Sequence, residues 1–298
     1  MGEPRSVQEQ ECHILHRQRL SPVSVLQYDT LLLSFPVFVP DDSLTLVSFM
    51  ASRPQIAEWV MGTWLMASHR LLDYHNFQRE SRWNKVLFPD ITDSPGLRMG
   101  ILGYGAIGRH VARIATAMGM KIHAYTRSAR LTAEDKKDDS YCLPGTGDPD
   151  GIFPEKWYHG ASKEAVNEFL AQDLDVLVIC LPLTEATQYI IGKEQLEILA
   201  KKKTFLSNIG RGKLIDTPAL LEALEQGKIR GAALDVTDPE PLPDGHPLWR
   251  APNVFITPHV SWQTPHYWKR VVAIIETNLD RLSRGETLVN VMNREYHY

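Results

Sequence analysis

The sequence has few cysteines, no long apolar run and no basic block. Three cysteines among 298 residues, Cys12, Cys142 and Cys180, are too few and too scattered for a disulfide framework, so we expect a reducing, cytoplasmic environment. The most apolar segment, residues 31–39, is interrupted by Pro36 and falls short of the roughly 20 residues that span a bilayer, so no membrane association is expected. A formal net charge of -4 likewise argues against a nucleic-acid partner.

Candidate metal ligands are also scarce. Cys12, His13 and His16 lie close together, but three potential ligands without a fourth are more typical of a polar N-terminal tail, so we expect no bound metal. Hydrophobic residues make up 43% of the chain and charged residues 23%, as is usual for a globular protein. A length of 298 residues is typical of two domains.

The most informative stretch is a glycine motif between two apolar patterns. Residues 99–102 form an apolar run, three glycines follow at GxGxxG spacing, and residues 111–118 repeat apolar side chains every three to four positions. A strand, a glycine turn and a helix in this order are the parts of a dinucleotide site, because the turn admits the pyrophosphate and the helix N-terminus offers unpaired N–H groups. The flanking patterns favour this interpretation over an ordinary glycine turn. The cofactor-binding residues predicted here are Gly103, Gly105, Ala106, Ile107 and Gly108.

Apolar strands alternate with helical periodicity along the rest of the chain. The near-continuous apolar run 176–181 is typical of a strand buried on both faces of a parallel sheet. Residues 132–160 interrupt the alternation with a turn-rich excursion, which is either a surface loop or a lid. We therefore predict an α/β fold with a Rossmann-like doubly wound parallel sheet. The other predicted helices are 54–71, 163–171, 193–200, 217–226 and 265–284, and the predicted strands are 99–102, 121–125, 175–181, 204–209, 231–236 and 254–257.

Polar residues gather at the predicted carboxyl ends of the strands, where doubly wound sheets bind ligands. Arg211 lies between two glycines just after a strand, where its guanidinium can hold a carboxylate bidentately; the alternative is a surface arginine in a turn. Asp235 ends a strand, Glu240 lies in a proline-rich segment and His259 follows a further strand. A Glu–His pair by itself is more typical of a structural contact. The remaining candidates for cofactor contact are Thr126, Arg127, Leu181, Pro182, Thr187 and Ile209, together with Arg211, Asp235 and His259.

Six short motifs in a fixed order give the sequence a specific resemblance to a known family. They are Gly-Tyr-Gly-Ala-Ile-Gly at 103–108, Leu-Pro-Leu-Thr at 181–184, Asn-Ile-Gly-Arg-Gly at 208–212, Ala-Leu-Asp-Val at 233–236, Asp-Pro-Glu-Pro at 238–241 and Thr-Pro-His at 257–259. Across roughly residues 54–290 the sequence resembles the D-isomer-specific 2-hydroxyacid dehydrogenases, the family of glycerate, lactate and hydroxypyruvate reductases.

The resemblance implies a role for each residue of the candidate site. Arg211 would bind the substrate carboxylate and carbonyl oxygen, Glu240 would pair with His259, and His259 would be the acid/base. Asp235 would contact the nicotinamide end of the cofactor, and helix 54–71 would lie at a homodimer interface. A histidine that titrates near neutral pH suits protonation of the alkoxide formed on hydride transfer to a 2-oxo acid, and a neighbouring carboxylate favours the imidazolium.

Three departures from the family pattern bear on function. Thr126 and Arg127 stand where an acidic residue usually holds the ribose hydroxyls of NAD, so we predict NADP as the preferred cofactor and NAD as the alternative. Trp262 stands in place of the usual glycines after the acid/base histidine, where it either narrows or caps the substrate pocket or simply packs. The N-terminal part is too short for the family's full substrate domain, and the usual substrate-binding glycine loop is not recognisable. The candidates for its remnant are residues 33–36 and 48–51.

The predicted organisation has two domains, one of them discontinuous. Residues 97–262 form the NAD(P)-binding Rossmann domain, while residues 1–96 and the returning helix in 263–298 form a reduced substrate domain. The predicted function is hydride transfer between NAD(P)H and a 2-oxo acid/D-2-hydroxy acid pair, with that small molecule as the partner, because the catalytic set is intact. The short N-terminal part favours the alternative: a truncated family member, or a catalytically inactive scaffold or sensor that still binds dinucleotide.

Overall fold

The structure is a computed structural model that describes residues 37–38, 44–45 and 53–291. The two candidate remnants of the substrate loop, residues 33–36 and 48–51, lie outside the described residues. The cluster of Cys12, His13 and His16 lies outside them as well. The strands β1 (Val37–Phe38) and β2 (Leu44–Thr45) pair in the antiparallel direction.

From residue 53 onward, helices mostly alternate with strands, and two of the helices begin at side-chain caps. Asp216 caps one helix by accepting the N–H of Ala219 at 3.1 Å, and Ser162 caps another by accepting that of Ala165 at 3.2 Å. The helices are α1 (Arg53–Ser68), α2 (Leu71–Arg79), α3 (Ala106–Ala117), α4 (Lys163–Leu170), α5 (Lys193–Ala200), α6 (Thr217–Glu225) and α7 (Tyr267–Ser283). The strands are β3 (Arg98–Leu102), β4 (Lys121–Thr126), β5 (Pro154–His159), β6 (Val176–Ile179), β7 (Phe205–Asn208), β8 (Gly231–Leu234) and β9 (Val254–Ile256).

Strands β3 to β9 form one parallel sheet in the order β5-β4-β3-β6-β7-β8-β9. Leu102 of the inner strand β3 is paired with Tyr125 of β4 on one side and with Ile179 of β6 on the other. From β3 the chain first extends the sheet through β4 to β5, and it then adds β6 to β9 on the other side of β3. This change of direction creates a crevice at the carboxyl ends of β3 and β6. The predicted α/β, Rossmann-like doubly wound sheet is confirmed.

Two apolar clusters cover the two faces of this sheet. Helices α4, α5 and α6 pack on one face through Phe169, Leu196 and Leu220. Helices α1 and α3 pack on the other face through Trp64 and Val111. All four residues of β6 are fully buried, which explains why its sequence is apolar without alternation. Burial of each large apolar side chain contributes roughly 1.5–3 kcal/mol.

The excursion at 132–160 contains a strand that the sequence pattern missed. Its last residues form β5, which pairs with β4 as the edge of the sheet. The segment Pro-Glu-Lys-Trp-Tyr-His has no apolar run, because an edge strand is only half buried. The part before β5 is tied to α3, where the guanidinium of Arg109 donates to the carbonyls of Asp148 and Lys136. These bonds favour the surface-loop interpretation of residues 132–153 over a lid.

The apolar helix that begins near Pro54 is shorter than predicted. Helix α1 ends at Ser68, Arg70 follows in the left-handed region with φ 56, and α2 then forms a second helix that the sequence pattern did not indicate. Within α1, Ile56, Met61 and Trp64 are at most 6% exposed because they pack against α3 and the sheet. Much of the apolar surface of α1 is therefore covered within the chain.

The C-terminal helix α7 packs back onto the chain that precedes it. Its residues Tyr267, Val271 and Ile274 form a small apolar cluster with Tyr141 and Trp262. Between residues 53 and 291, no helix is both long and apolar enough to cross a bilayer. The proposed domain boundaries at 96/97 and 262/263 stay a prediction.

Candidate active site

The glycine turn between β3 and α3 forms a cradle in front of a helix N-terminus. Gly103 has φ 105, and a side chain there would lie 2.9 Å from the backbone of Cys180. A Cβ at Gly108 would lie 2.6 Å from the carbonyl oxygen of Gly103. At Gly105, by contrast, a Cβ would meet no atom of the described chain within 4 Å. Tight packing behind the turn and space in front of Ala106 and Ile107 fit a pyrophosphate bound by the N–H groups of the first helical turn.

The end of β4 carries a hydroxyl and a cation. The hydroxyl of Thr126 donates to the carbonyl of Ser128 at 2.8 Å, and Arg127 is exposed at the same strand end. The first carboxylate after β4 in the sequence is that of Glu134. An arginine at this position suits a phosphate, whereas a carboxylate suits ribose hydroxyls. Contact of Thr126 and Arg127 with cofactor stays a prediction.

The loop after β6 is shaped by Thr187. Its hydroxyl donates to the carbonyl of Pro182 at 2.8 Å and accepts the backbone N–H of Thr184 at 2.8 Å. Thr187 therefore closes the loop that carries Leu181 and Pro182, both of which are half-buried at the crevice side of β6. Ile209, after the next strand, is buried in the apolar cluster beneath α1 and α3. The cofactor contacts assigned to these residues stay predictions.

Arg211 follows β7 in a turn that Asn208 stabilises. The side chain of Asn208 accepts the N–H of Gly210 at 3.1 Å and donates to the carbonyl of Arg211 at 3.0 Å. The guanidinium of Arg211 donates to the carbonyl of Gly210 at 2.7 Å. Burial lowers the pKa of Arg211 and the charge of Glu240 opposes this, but an arginine keeps its charge in proteins. A half-buried guanidinium at this edge of the sheet is suited to bind a carboxylate.

Asp235 anchors the loop that follows β9. It is 2% exposed, and one carboxylate oxygen accepts the hydroxyl of Thr257 at 2.6 Å and the N–H of Val260 at 2.9 Å. Its other oxygen accepts the hydroxyl of Ser261 at 2.5 Å. The sequence analysis assigned no role to Thr257 or Ser261. Their hydroxyl-bearing side chains stand two residues before and two residues after His259, and this placement could have indicated that they support the histidine loop. The contact of Asp235 with nicotinamide stays a prediction.

Glu240 and His259 lie in contact although they are 19 residues apart in the sequence: Nδ1 of the imidazole is 2.7 Å from Oε1 of the carboxylate. An ionised carboxylate only accepts hydrogen bonds, so Nδ1 donates and Nε2 stays available for a ligand. The turn that carries Glu240 is fixed by two threonine hydroxyls. Thr217 donates to the carbonyl of Asp238 at 2.9 Å, and Thr237 donates to that of Pro239 at 2.8 Å.

The partners of His259 determine its charge. The hydrogen bond to Glu240 raises the pKa of His259 above its ordinary value, and the carboxylate of Asp235 acts in the same direction. Burial and the positive charge of Arg211 oppose this increase. His259 is therefore more readily protonated near neutral pH than an isolated histidine, as a proton donor requires.

Comparison with known proteins identifies the family. The sequence profile of the NAD-binding domain of D-isomer-specific 2-hydroxyacid dehydrogenases matches residues 61–143 and 152–261, which is more than half of the chain. The chain belongs to this family. The gap in the match falls within the surface segment between β4 and β5, where this chain has the turns that interrupt the sequence pattern.

Individual dehydrogenases of the family are similar in sequence and in fold. The glyoxylate reductase of Aeropyrum pernix is 32% identical over 246 residues, which cover 80% of this chain and 66% of that enzyme. The NADPH-dependent glyoxylate/hydroxypyruvate reductase of Sinorhizobium meliloti, solved with NADP and sulfate, has a TM-score of 0.67, with 26% identity over 87% of this chain and 74% of that chain. A family member from Xanthobacter autotrophicus, solved with NADPH and MES, also has a TM-score of 0.67, with 28% identity over 91% of this chain and 99% of that chain.

Proposed function

We propose that this dehydrogenase reduces a 2-oxo acid to a D-2-hydroxy acid with NAD(P)H, in the manner of a glyoxylate or hydroxypyruvate reductase. The observation that carries the proposal is the 2.7 Å contact between His259 and Glu240 at the ligand-binding edge of a sheet that also presents Arg211 and the glycine cradle. A proton donor, an anion-binding cation and a dinucleotide cradle together suit hydride transfer to a carbonyl. The glyoxylate reductase name of the relative from Aeropyrum pernix supports the same substrate class.

Each residue of the site has its own role in the proposed reduction. Arg211 binds the substrate carboxylate, orients the carbonyl and neutralises the charge that develops on its oxygen. NAD(P)H held at the glycine cradle of Gly103, Gly105 and Gly108 would supply the hydride for C2. His259, in its protonated form, gives the proton on Nε2 to the resulting alkoxide. Glu240 accepts the hydrogen bond from Nδ1, which stabilises the imidazolium and fixes the neutral tautomer that takes a proton back in the oxidation direction.

The proposed preference for NADP rests on the strand end of β4. NADP carries an additional phosphate on the adenosine ribose, which a carboxylate repels and an arginine attracts. Thr126 and the exposed Arg127 occupy that position. A charge-assisted contact gives about ten- to hundredfold discrimination in kcat/KM. The structural neighbours solved with NADP and NADPH support this choice.

A panel assay tests substrate class and cofactor choice together. Oxidation of NADPH and of NADH is followed with glyoxylate, hydroxypyruvate and bulkier 2-oxo acids, in the wild type and in the double variant Thr126→Asp/Arg127→Ala. We expect turnover of at least one acid with a preference for NADPH, and loss of that preference in the double variant. Equal use of both cofactors by the wild type, or an unchanged ratio in the variant, contradicts recognition of the phosphate by Arg127.

The same assay distinguishes the enzyme from the scaffold, the sensor or the truncated family member. The alternative is that the chain binds the cofactor without catalysis. Cofactor binding without turnover of any acid supports the alternative. Turnover that is abolished by changes at His259 or Arg211 supports the enzyme.

The pair of Glu240 and His259 predicts a specific pH dependence. Reduction needs protonated His259, so activity is present below its pKa and falls as the pH rises through it. Glu240→Gln removes the carboxylate that raises this pKa, and we expect the high-pH limb of kcat/KM to move to lower pH. Glu155→Gln, at an exposed position on β5, is the control and should leave the limb in place. An unmoved limb in the Glu240 variant rules out the pairing as a determinant of activity.

We also propose a homodimer, based on the apolar side chains that the chain leaves exposed. Large apolar side chains are exposed in several parts of the described chain, and five of them lie in the segment directly after α1: Leu71, Leu72, Trp83, Leu87 and Ile91, of which Trp83 is 100% exposed. Exposed apolar side chains gathered in one region are typical of protein interfaces. Light scattering on the purified chain at micromolar concentration should give twice the mass of the chain, and a clean monomer contradicts the proposal.

A further inference from the structure

His259 has a backbone conformation that needs support. Its φ of 55 lies in the left-handed region, which is disfavoured for a residue with a side chain. Its N–H donates to the carbonyls of Asp235 at 2.8 Å and of Thr257 at 3.0 Å. Its own carbonyl accepts the indole N–H of Trp262, with 2.9 Å between Nε1 and the oxygen. The backbone of His259 is therefore fixed on both sides of Cα, and on the carbonyl side the donor is Trp262.

Trp262 is in turn held by two helices. Its indole lies edge-on to the ring of Tyr267 at the start of α7, with 5.6 Å between ring centroids. Its carbonyl accepts the side-chain amide of Gln55, in the first turn of α1, at 2.6 Å. The amide oxygen of Gln55 accepts the guanidinium of Arg270, on α7, at 2.7 Å. Helix α1 near the start of the described chain and helix α7 near its end therefore both contact Trp262, the residue that donates to the carbonyl of His259.

We propose that Trp262 is a positioning residue for His259, and that Gln55 and Arg270 fix Trp262 in the orientation this requires. The inference rests on the proposed function, in which His259 is the proton donor. The direction of the imidazole follows from the backbone dihedrals of His259, and the 2.7 Å contact with Glu240 allows little rotation before the hydrogen bond weakens. Loss of the bond to the carbonyl therefore turns the ring away from Glu240.

Replacement of Trp262 by phenylalanine separates geometry from charge. The charged groups that act on His259 are Glu240, Asp235 and Arg211. Trp262→Phe alters none of them and keeps an aromatic ring against Tyr267, but it removes the indole donor. A changed pKa of His259 in this variant must then come from a changed distance or angle to Glu240.

The pKa of His259 can be measured without turnover. The full chain, labelled with ¹³C in its histidines, is titrated by NMR, and the His259 signal is the one of 11 that is absent in His259→Asn. We expect Trp262→Phe to lower the pKa of His259 toward its ordinary value. We also expect it to reduce kcat about three- to tenfold, as for loss of one hydrogen bond, with KM for the 2-oxo acid unchanged.

Two further variants sharpen the test. Gln55→Met removes both hydrogen bonds of the amide and should change the pKa of His259 and kcat in the same direction as Trp262→Phe. In a Glu240→Gln background, Trp262→Phe should produce no further change in the pKa of His259, because the proposed effect of Trp262 acts through the contact with Glu240. Additive changes in the double variant contradict that route.

Trp64→Phe is the matched control. Trp64 is fully buried, its indole donates to the hydroxyl of Ser94 at 3.0 Å, and it packs on Phe205 at the end of the sheet opposite the candidate site. The Trp64→Phe variant loses an indole hydrogen bond of similar length to the one lost in Trp262→Phe, and the pKa of His259 should stay unchanged. An equal change in both variants makes the effect of Trp262 a general loss of stability and overturns the inference.

The remaining outcomes are also decisive. An unchanged pKa of His259 in Trp262→Phe overturns the positioning role. A change in KM alone, largest for bulky 2-oxo acids, assigns Trp262 to the wall of the substrate pocket instead. A chain that reduces no 2-oxo acid refutes the proposed function, whereas the titration still decides whether Trp262 positions the imidazole.

Discussion

We expect His259→Asn to lower kcat for 2-oxo acid reduction by about 10²–10⁴-fold, which is the usual contribution of a positioned general acid. An asparagine amide cannot give a proton to the alkoxide. Asparagine tolerates the left-handed φ of 55 at this position as histidine does, so the backbone of the loop should be retained. Steady-state kinetics with saturating NADPH measure the loss, and fluorescence titration of NADPH should show an affinity that barely changes.

The control for this variant is His266→Asn. His266 is exposed at the start of α7 and lies outside the proposed catalytic set, so its replacement should leave kcat unchanged. A loss of less than about tenfold in His259→Asn would mean that another group, or water, donates the proton. A parallel loss of NADPH affinity would assign His259 to cofactor binding or to folding instead.

The second large effect is expected at Arg211. Arg211→Lys should lower kcat/KM by about 10²-fold, because a point charge cannot replace the planar fork that binds a carboxylate and meets the charge on the carbonyl oxygen. Lysine keeps the positive charge, so the change tests geometry rather than net charge. Kinetics with glyoxylate and hydroxypyruvate measure the loss, and NADPH affinity measured separately should be retained.

Lys213→Met is the matched control for Arg211→Lys. Lys213 lies two residues further along and is exposed, so its replacement removes a nearby positive charge without touching the proposed carboxylate site. We expect kcat/KM to stay close to that of the wild type. If Arg211→Lys weakens NADPH binding as much as it lowers kcat/KM, the guanidinium stabilises the turn after β7 rather than the substrate.

Much of the fold could be predicted because its signals are local. The strand β6 is fully buried, so its apolar run is visible in the sequence, and the glycine motif marks the turn between β3 and α3 within six residues. The edge strand β5 was missed because half its surface is exposed and its composition is polar. The boundary between α1 and α2 was missed because the left-handed conformation of Arg70 leaves no signal in an arginine.

The sequence by itself determined which side chains stand at the carboxyl ends of the strands, and those ends share one edge of a parallel sheet. The sequence therefore places Arg211, Glu240 and His259 at that same edge. Only the tertiary structure decided how they are held: the 2.7 Å contact of Glu240 with His259, and the bond from Trp262 to the carbonyl of His259. Both contacts depend on hydrogen-bond directions that the backbone dihedrals set. They also depend on long-range contacts such as that of Gln55 with Trp262, which are 207 residues apart in the sequence, and no local sequence pattern encodes such a contact.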